Sequence, residues 1–265
     1  MQPIKVVVHG ASGKMGREVL AALCQEPEME PVGAVERRMG EDYLSLPDGS
    51  GLIPLSTDLE SIIQRTRPQV MVDFSHAEAT MPAVRICARN GVAVVVGTTG
   101  LAQENLEEIG ELCRRHQIGV VVAPNFAVGA VIMVYLARIA ARYFDYAEIV
   151  EMHHEQKLDA PSGTALFTAQ EMARSRGSAF QWASVQKETI PSTRGGLKEG
   201  IPIHSLRLPG LLAHQEVVFG TRGQTLRIRH DALSRECFVP GIMLAIKEVV
   251  KRKELITSLD ALLGL

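Results

Sequence analysis

The densest gathering of groups able to move protons lies at residues 151–164, EMHHEQKLDAPSGT. His153 and His154 stand side by side there, with Lys157 four positions beyond the first. Imidazole and ammonium groups in one loop suit general acid–base work near neutral pH. Adjacent histidines lack the i, i+4 spacing with which one helix face holds zinc, and no cysteine is near in sequence, so no metal site is expected. A solvated loop with idle histidines is the competing reading. Pro161-Ser162-Gly163-Thr164 then opens an apolar run in the manner of a helix start. Free N–H groups at Gly163 and Thr164 can bind a carboxylate, as helix N-termini bind anions, and Lys157 adds a charge-assisted partner. The expected substrate is a small anion, although ordinary capping explains Ser162 and Thr164 equally well.

A second constellation suits a dinucleotide. Gly10-Ala11-Ser12-Gly13-Lys14-Met15-Gly16 has the spacing GxxGxxG. It falls between a β-branched run at 4–9 and apolar residues at helical spacing over 15–24. A tight strand-to-helix turn needs glycine where a β-carbon would meet the pyrophosphate or the sheet, and the helix start offers N–H groups to phosphate. A glycine triplet alone is a weak signal; its context carries the reading. Glu36, 20 positions after Gly16, is followed by Arg37 and Arg38. An acidic residue there can hold the ribose hydroxyls of NADH, and an arginine can neutralise the 2′-phosphate of NADPH, so use of both is expected. Two further loops, Gly97-Thr98-Thr99-Gly100 and Ala123-Pro124-Asn125-Phe126, follow candidate strands. Small residues there permit close approach to a nicotinamide, whose carboxamide Asn125 or local carbonyls can hold.

Such loops need a scaffold. Strands are predicted at 4–9, 32–35, 70–74, 92–96 and 118–123, and helices at 15–24, 56–66, 77–90 and 103–116. Strand–helix alternation with short turns calls for a doubly wound parallel sheet of Rossmann type, an α/β fold. After Asn125 the pattern changes. A long helix is predicted over 128–144, a strand at 148–153, a helix at 162–175, loop and short strand over 179–208, and strands at 214–219 and 224–230. This describes a second α+β domain with a mixed or open sheet. The closing stretches 239–251 and 255–263 read as helical. The expected division is 1–126 plus 236–265 for the dinucleotide and 127–235 for substrate and oligomerisation.

Bulk properties fit that scheme. At 265 residues the chain can bury a large core without disulfide or metal. The formal net charge of −2, with no block of like charge, gives no reason to expect nucleic acid or a membrane surface as partner. The four cysteines are scattered and form no CxxC pair, which reads as buried reduced thiols. No apolar stretch approaches ~20 residues, and the opening one is too short for a signal-peptide core, so a cytoplasmic protein is expected.

With these residues in view, the chain resembles the dihydrodipicolinate reductases, also called 4-hydroxy-tetrahydrodipicolinate reductases, of bacterial lysine and diaminopimelate synthesis. The motifs that carry the resemblance are GASGKMG at 10–16, VER at 35–37, DFS at 73–75, GTTG at 97–100, APNF at 123–126 and HHEQKLDAPSGTAL at 153–166. It runs on to His214, Ser234-Arg235 and the closing LDALLGL, and thins between Ala179 and Leu212. The resemblance implies His153 as proton donor or acceptor, Lys157 as proton donor, and His154, Gly163 and Thr164 as ligands of the substrate carboxylates. It assigns Gly10, Ala11, Ser12, Gly13, Lys14, Met15, Glu36, Arg37, Gly97, Thr98, Thr99, Ala123, Pro124, Asn125 and Phe126 to the cofactor. It further implies hydride transfer from NADH or NADPH to a dicarboxylated ring, and a homotetramer assembled through the second-domain sheet. Another NAD(P)-dependent dehydrogenase of an amino-acid pathway, such as one acting on aspartate, or a non-catalytic dinucleotide sensor, are the competing functions.

Overall fold

The computed structural model describes residues 2–38 and 40–265. These divide into two compact units, Met1–Val128 with Arg235–Leu265, and Gly129–Ser234.

The first unit is built on an eight-stranded sheet. Its strands are β1 (Ile4–His9), β2 (Met29–Val35), β3 (Tyr43–Ser45), β4 (Leu52–Ser56), β5 (Val70–Asp73), β6 (Ala93–Val96), β7 (Val120–Val122) and a late strand, Leu255–Ile256. The order is Leu255–Ile256, β7, β6, β5, β1, β2, β4, β3, parallel throughout except for the β3–β4 hairpin. Val6, Val7 and Val8, like all of β5 and β6, are buried, as near-continuous β-branched runs must be in a sheet covered on both faces. Helices α1 (Lys14–Gln25), α2 (Leu59–Thr66), α3 (Ala77–Arg89) and α4 (Gln103–His116) make the crossovers. Each buries one apolar stripe: in α1 it is Val19, Leu20 and Leu23, together with Gly16.

Two sequence expectations change here. The helix read at 56–66 begins only at Leu59, because Asp58 caps it through Glu60 N–H and Ser61 N–H while β4 occupies the residues up to Ser56. The helix read at 255–263 is a two-residue strand followed by a short helix, Asp260–Leu263. Leu255 and Ile256 pair with Val120 and Val121, so the sheet edge claims residues whose local spacing also suits a helix. Of the cysteines, Cys87 and Cys113 are buried, whereas Cys24 and Cys237 are only half-buried.

The second unit opens with α5 (Val128–Ala140), which ends four residues before the expected 144 and continues as turns. Then come β8 (Tyr146–His153), α6 (Gly163–Arg176), β9 (Gly196–Lys198), β10 (Ile201–Arg207), β11 (Ala213–Thr221) and β12 (Gln224–Ala232). The sheet order is β12, β11, β8, β10, β9, with β8 and β10 parallel and the other pairs antiparallel. Alternate residues Ala147 and Ile149 of β8 and Val217 and Phe219 of β11 enter one core with Ala165, Ala169 and Met172 of α6. Within the stretch read as largely loop, β10 is a seven-residue strand. Its parallel partner β8 is remote in sequence, β9 joins it only as a three-residue hairpin arm, and Pro202 disguises its alternation. The last long helix, α6's successor α7 (Val239–Val249), belongs to the first unit.

Candidate active site

β8 delivers the proton-transfer cluster. Period-two alternation puts Glu151 and His153 on one face at the end of this strand. The Glu151 side chain is fully buried, and its Oε2 lies 2.6 Å from His153 Nδ1. Arg207, opposite His153 in the parallel β8–β10 register, donates from its two terminal nitrogens to Glu151 Oε2 at 3.0 Å and Oε1 at 2.8 Å. The Ser162 N–H donates to Glu151 Oε1 at 3.2 Å. Burial by itself raises the Glu151 carboxyl, but the donors from His153 and Arg207, with the guanidinium charge, reverse this and hold it at about 2.

The same network reaches the lysine. Arg207 also donates to the Asp159 carbonyl at 2.7 Å, and Lys157 Nζ lies 2.7 Å from Asp159 Oδ1. Residues His153, Glu151, Arg207, Asp159 and Lys157 thus form one connected set, joined at Asp159 through its backbone carbonyl. His154, Lys157 and Thr164 are half-buried and Gly163 is exposed. Ser162 is the N-cap of α6 and accepts from Ala165 N–H at 3.2 Å. The earlier N–H groups, at Gly163 and Thr164, precede any intrahelical acceptor, as the first N–H groups of a helix do.

In the first unit the glycine loop joins β1 to α1 as expected. Gly10 takes φ +79°, and a β-carbon there would come within 2.7 Å of the Phe74 carbonyl oxygen. Gly16 lets the first turn of α1 rest on the loop's own backbone. Ala11 is wholly buried, Ser12, Gly13 and Lys14 are exposed, and Met15 is half-buried. Glu36 accepts a hydrogen bond from Ser12 N–H, so the end of β2 is tied to the glycine loop. Gly10, Ser12, Gly13, Glu36 and Arg37 line one cavity of about 570 Å³ with the 74–76 turn. Lined by a glycine cradle, a free helix start, a carboxylate and an arginine, this cavity fits a nicotinamide dinucleotide.

The 97–100 and 123–126 loops are held by residues whose role the sequence left open. Asp73, fully buried at the end of β5, accepts from Ser75 Oγ at 2.6 Å, Thr80 Oγ1 at 2.5 Å and Thr98 Oγ1 at 3.0 Å. His9 Nδ1 is 3.0 Å from Asp73 Oδ1, without hydrogen-bond alignment. Burial raises this carboxyl, the His9, Ser75 and Thr80 side chains outweigh it, and the net direction is down. Phe74 packs edge-on to Phe126, ring centres 6.0 Å apart, and lies where a β-carbon on Gly97 would be. Ala123 and Phe126 are buried, Pro124 and Thr99 are exposed, and Thr98 points inward to Asp73. Asn125 Oδ1 accepts from Ala127 N–H at 2.9 Å. Its oxygen therefore caps its own chain, leaving the Nδ2 donor for a ligand.

The parallel sheet, the glycine cradle and the acid–base cluster define a nicotinamide-dependent oxidoreductase with a Rossmann-type unit. Family models described as "Dihydrodipicolinate reductase, N-terminus" and "Dihydrodipicolinate reductase, C-terminus" match residues 4–126 and 129–263. A relative from Dehalococcoides mccartyi, named 4-hydroxy-tetrahydrodipicolinate reductase, is 57% identical over all of both chains. One of the same name from Moorella thermoacetica is 49% identical over 98% of each. The solved dipicolinate-bound dihydrodipicolinate reductase from Paenisporosarcina sp. TG-14 superposes with a TM-score of 0.88 at 41% identity, covering 98% of this chain and 99% of that one. The chain belongs to the dihydrodipicolinate reductase family. No helix among the described residues is long and apolar enough to cross a membrane.

Proposed function

We propose that the chain reduces 4-hydroxy-tetrahydrodipicolinate to tetrahydrodipicolinate, in lysine and diaminopimelate synthesis. The observation that carries this reading is the connected set His153–Glu151–Arg207–Asp159–Lys157 beside the open first turn of α6. Loss of the 4-hydroxyl as water, and addition of one hydride and one proton, balance the conversion. The bound nicotinamide supplies the hydride. Charge left on the conjugated ring is quenched by a proton from His153 or Lys157. His154 and the N–H groups of Gly163 and Thr164 take the ring carboxylates. The dipicolinate bound by the Paenisporosarcina relative is a ring dicarboxylate, which supports a substrate of that class.

For the cofactor, residues 10–15 take the pyrophosphate, and the 97–99 and 123–126 loops take the nicotinamide. Glu36 serves the ribose of NADH and Arg37 the 2′-phosphate of NADPH, so both cofactors are used. The protein works in the cytoplasm as a homotetramer joined through the five-stranded sheet. The test is NADH and NADPH oxidation with substrate generated freshly by a coupled synthase. Turnover with this substrate and none with aspartate supports the reading. NADH binding without turnover identifies a sensor instead, and turnover of aspartate identifies the competing dehydrogenase.

A further inference from the structure

Glu151 is not a group that the reaction needs for its proton, yet its fully buried carboxylate is ringed by donors. His153 Nδ1, two nitrogens of Arg207 and the Ser162 N–H converge on its two oxygens, and the Ser205 side chain adds to them. A carboxylate has about four lone-pair sites, so its capacity to accept is filled. An ionised carboxylate also has no proton to give. Whatever faces it at 2.6 Å must be a donor, and His153 Nδ1 therefore carries hydrogen. The guanidinium of Arg207 keeps the buried carboxylate charged, and the depressed carboxyl noted above agrees with that. An arginine pair alone would explain a buried glutamate; it would not explain the imidazole seated on the same oxygen, nor the bond to the start of α6.

We propose that Glu151 is the positioning residue of the site: its Arg207-held carboxylate locks His153 as the Nδ1–H tautomer and leaves Nε2 to exchange the substrate's proton. Through Ser162 the same carboxylate sets where α6 begins, and hence where the Gly163 and Thr164 N–H groups stand. One buried charge thereby registers the proton-transfer group against the anion-binding turn. This rests on the assignment of His153 given above.

The test reads the tautomer directly. In the ¹⁵N-labelled unmodified protein, at the alkaline end of the ring's titration, two-bond ¹⁵N–¹H spectra report which nitrogen of His153 is protonated, the signal being assigned by its loss in His153→Gln. Nδ1–H is expected, and Nε2–H overturns the proposal. In Glu151→Gln, Arg207 retains the amide oxygen and the amide NH₂ turns to Nδ1, which must then accept. The ring is expected to switch to Nε2–H, with kcat down roughly 10²–10⁴-fold and NADH affinity within about two-fold. Glu151→Asp keeps a carboxylate and is expected to retain the Nδ1–H signature and lose less kcat. Unchanged kcat in a folded Glu151→Gln overturns the proposal; if that variant does not fold, the spectrum of the unmodified protein decides. Intact kcat in His153→Gln would instead remove the functional assignment of His153, a separate failure from the wrong tautomer.

Discussion

A β-carbon on Gly16 would lie 2.1 Å from the Gly10 carbonyl oxygen and 2.7 Å from the Ala11 α-carbon. The two glycines are thus one device: Gly10 turns the chain with a positive φ, and Gly16 brings the helix start down on that turn. Both obstructing atoms are backbone, so no rotamer change relieves Gly16→Ala. We expect a loss of about 1–3 kcal/mol in stability, as for other overpacked sites. NADH affinity should fall at least about ten-fold, since the displaced N–H groups no longer meet the pyrophosphate. Urea unfolding and an NADH fluorescence titration measure both; wild-type values in each would contradict the cradle.

Asp73 brings three strand ends together: His9 at the end of β1, Ser75 after β5 and Thr98 after β6. Asp73→Asn keeps the shape but replaces one acceptor oxygen by a donor facing hydroxyl groups. The expected cost is about 1–3 kcal/mol, the penalty for mismatched buried polar groups. Chemical denaturation checks it, and a cost below about 0.5 kcal/mol would place Asp73 outside the network's core.

Acid should unfold the protein partly through Glu151. Its carboxyl stands at about 2 when folded, against an ordinary 4.5. A depressed carboxyl stabilises the fold fully above its unfolded value and loses that contribution as pH falls toward the folded one. The window is therefore from about 4.5 down to about 2, and the linked stability is on the order of 3 kcal/mol. Urea midpoints of the unmodified protein and of Glu151→Gln, compared at neutral pH and across this window, should converge as pH falls. Parallel curves would contradict the linkage.

Cofactor choice should divide between neighbours. Arg37→Ala is expected to raise the KM for NADPH roughly ten-fold and leave that for NADH nearly unchanged, because only the 2′-phosphate loses a partner. Glu36→Ala should raise the KM for NADH and also release the Ser12 N–H it now holds. An unchanged KM for NADH in Glu36→Ala would remove Glu36 from ribose binding.

Much of this is legible in the sequence. Buried β-branched runs alternating with amphipathic helices announce a parallel sheet, and β1, β5, β6 and β7 lie where those runs stand. The β3–β4 hairpin, β10 and the Leu255–Ile256 strand were not legible: the hairpin strands are short and carry little alternation, while β10 and Leu255–Ile256 gain their place in a sheet from the remote strands β8 and β7. The site divides in the same way. His153, Lys157 and the α6 start announce themselves by residue type and spacing. Arg207 lies 56 positions from Glu151 and meets it only through the β8–β10 register. Glu151 did leave a signal, two positions before His153 on a strand whose alternate residues share a face. Asn125 shows the opposite case, where residue type suggested a free amide and local capping had already claimed its oxygen.

The most direct test of the central claim is steady-state reduction of synthase-generated 4-hydroxy-tetrahydrodipicolinate by the unmodified protein, His153→Ala and Lys157→Ala, with NADH affinity measured alongside. The account predicts rapid turnover by the unmodified protein and a kcat lowered roughly 10²–10⁴-fold in each variant, with NADH affinity little changed. Full kcat in both variants would contradict it.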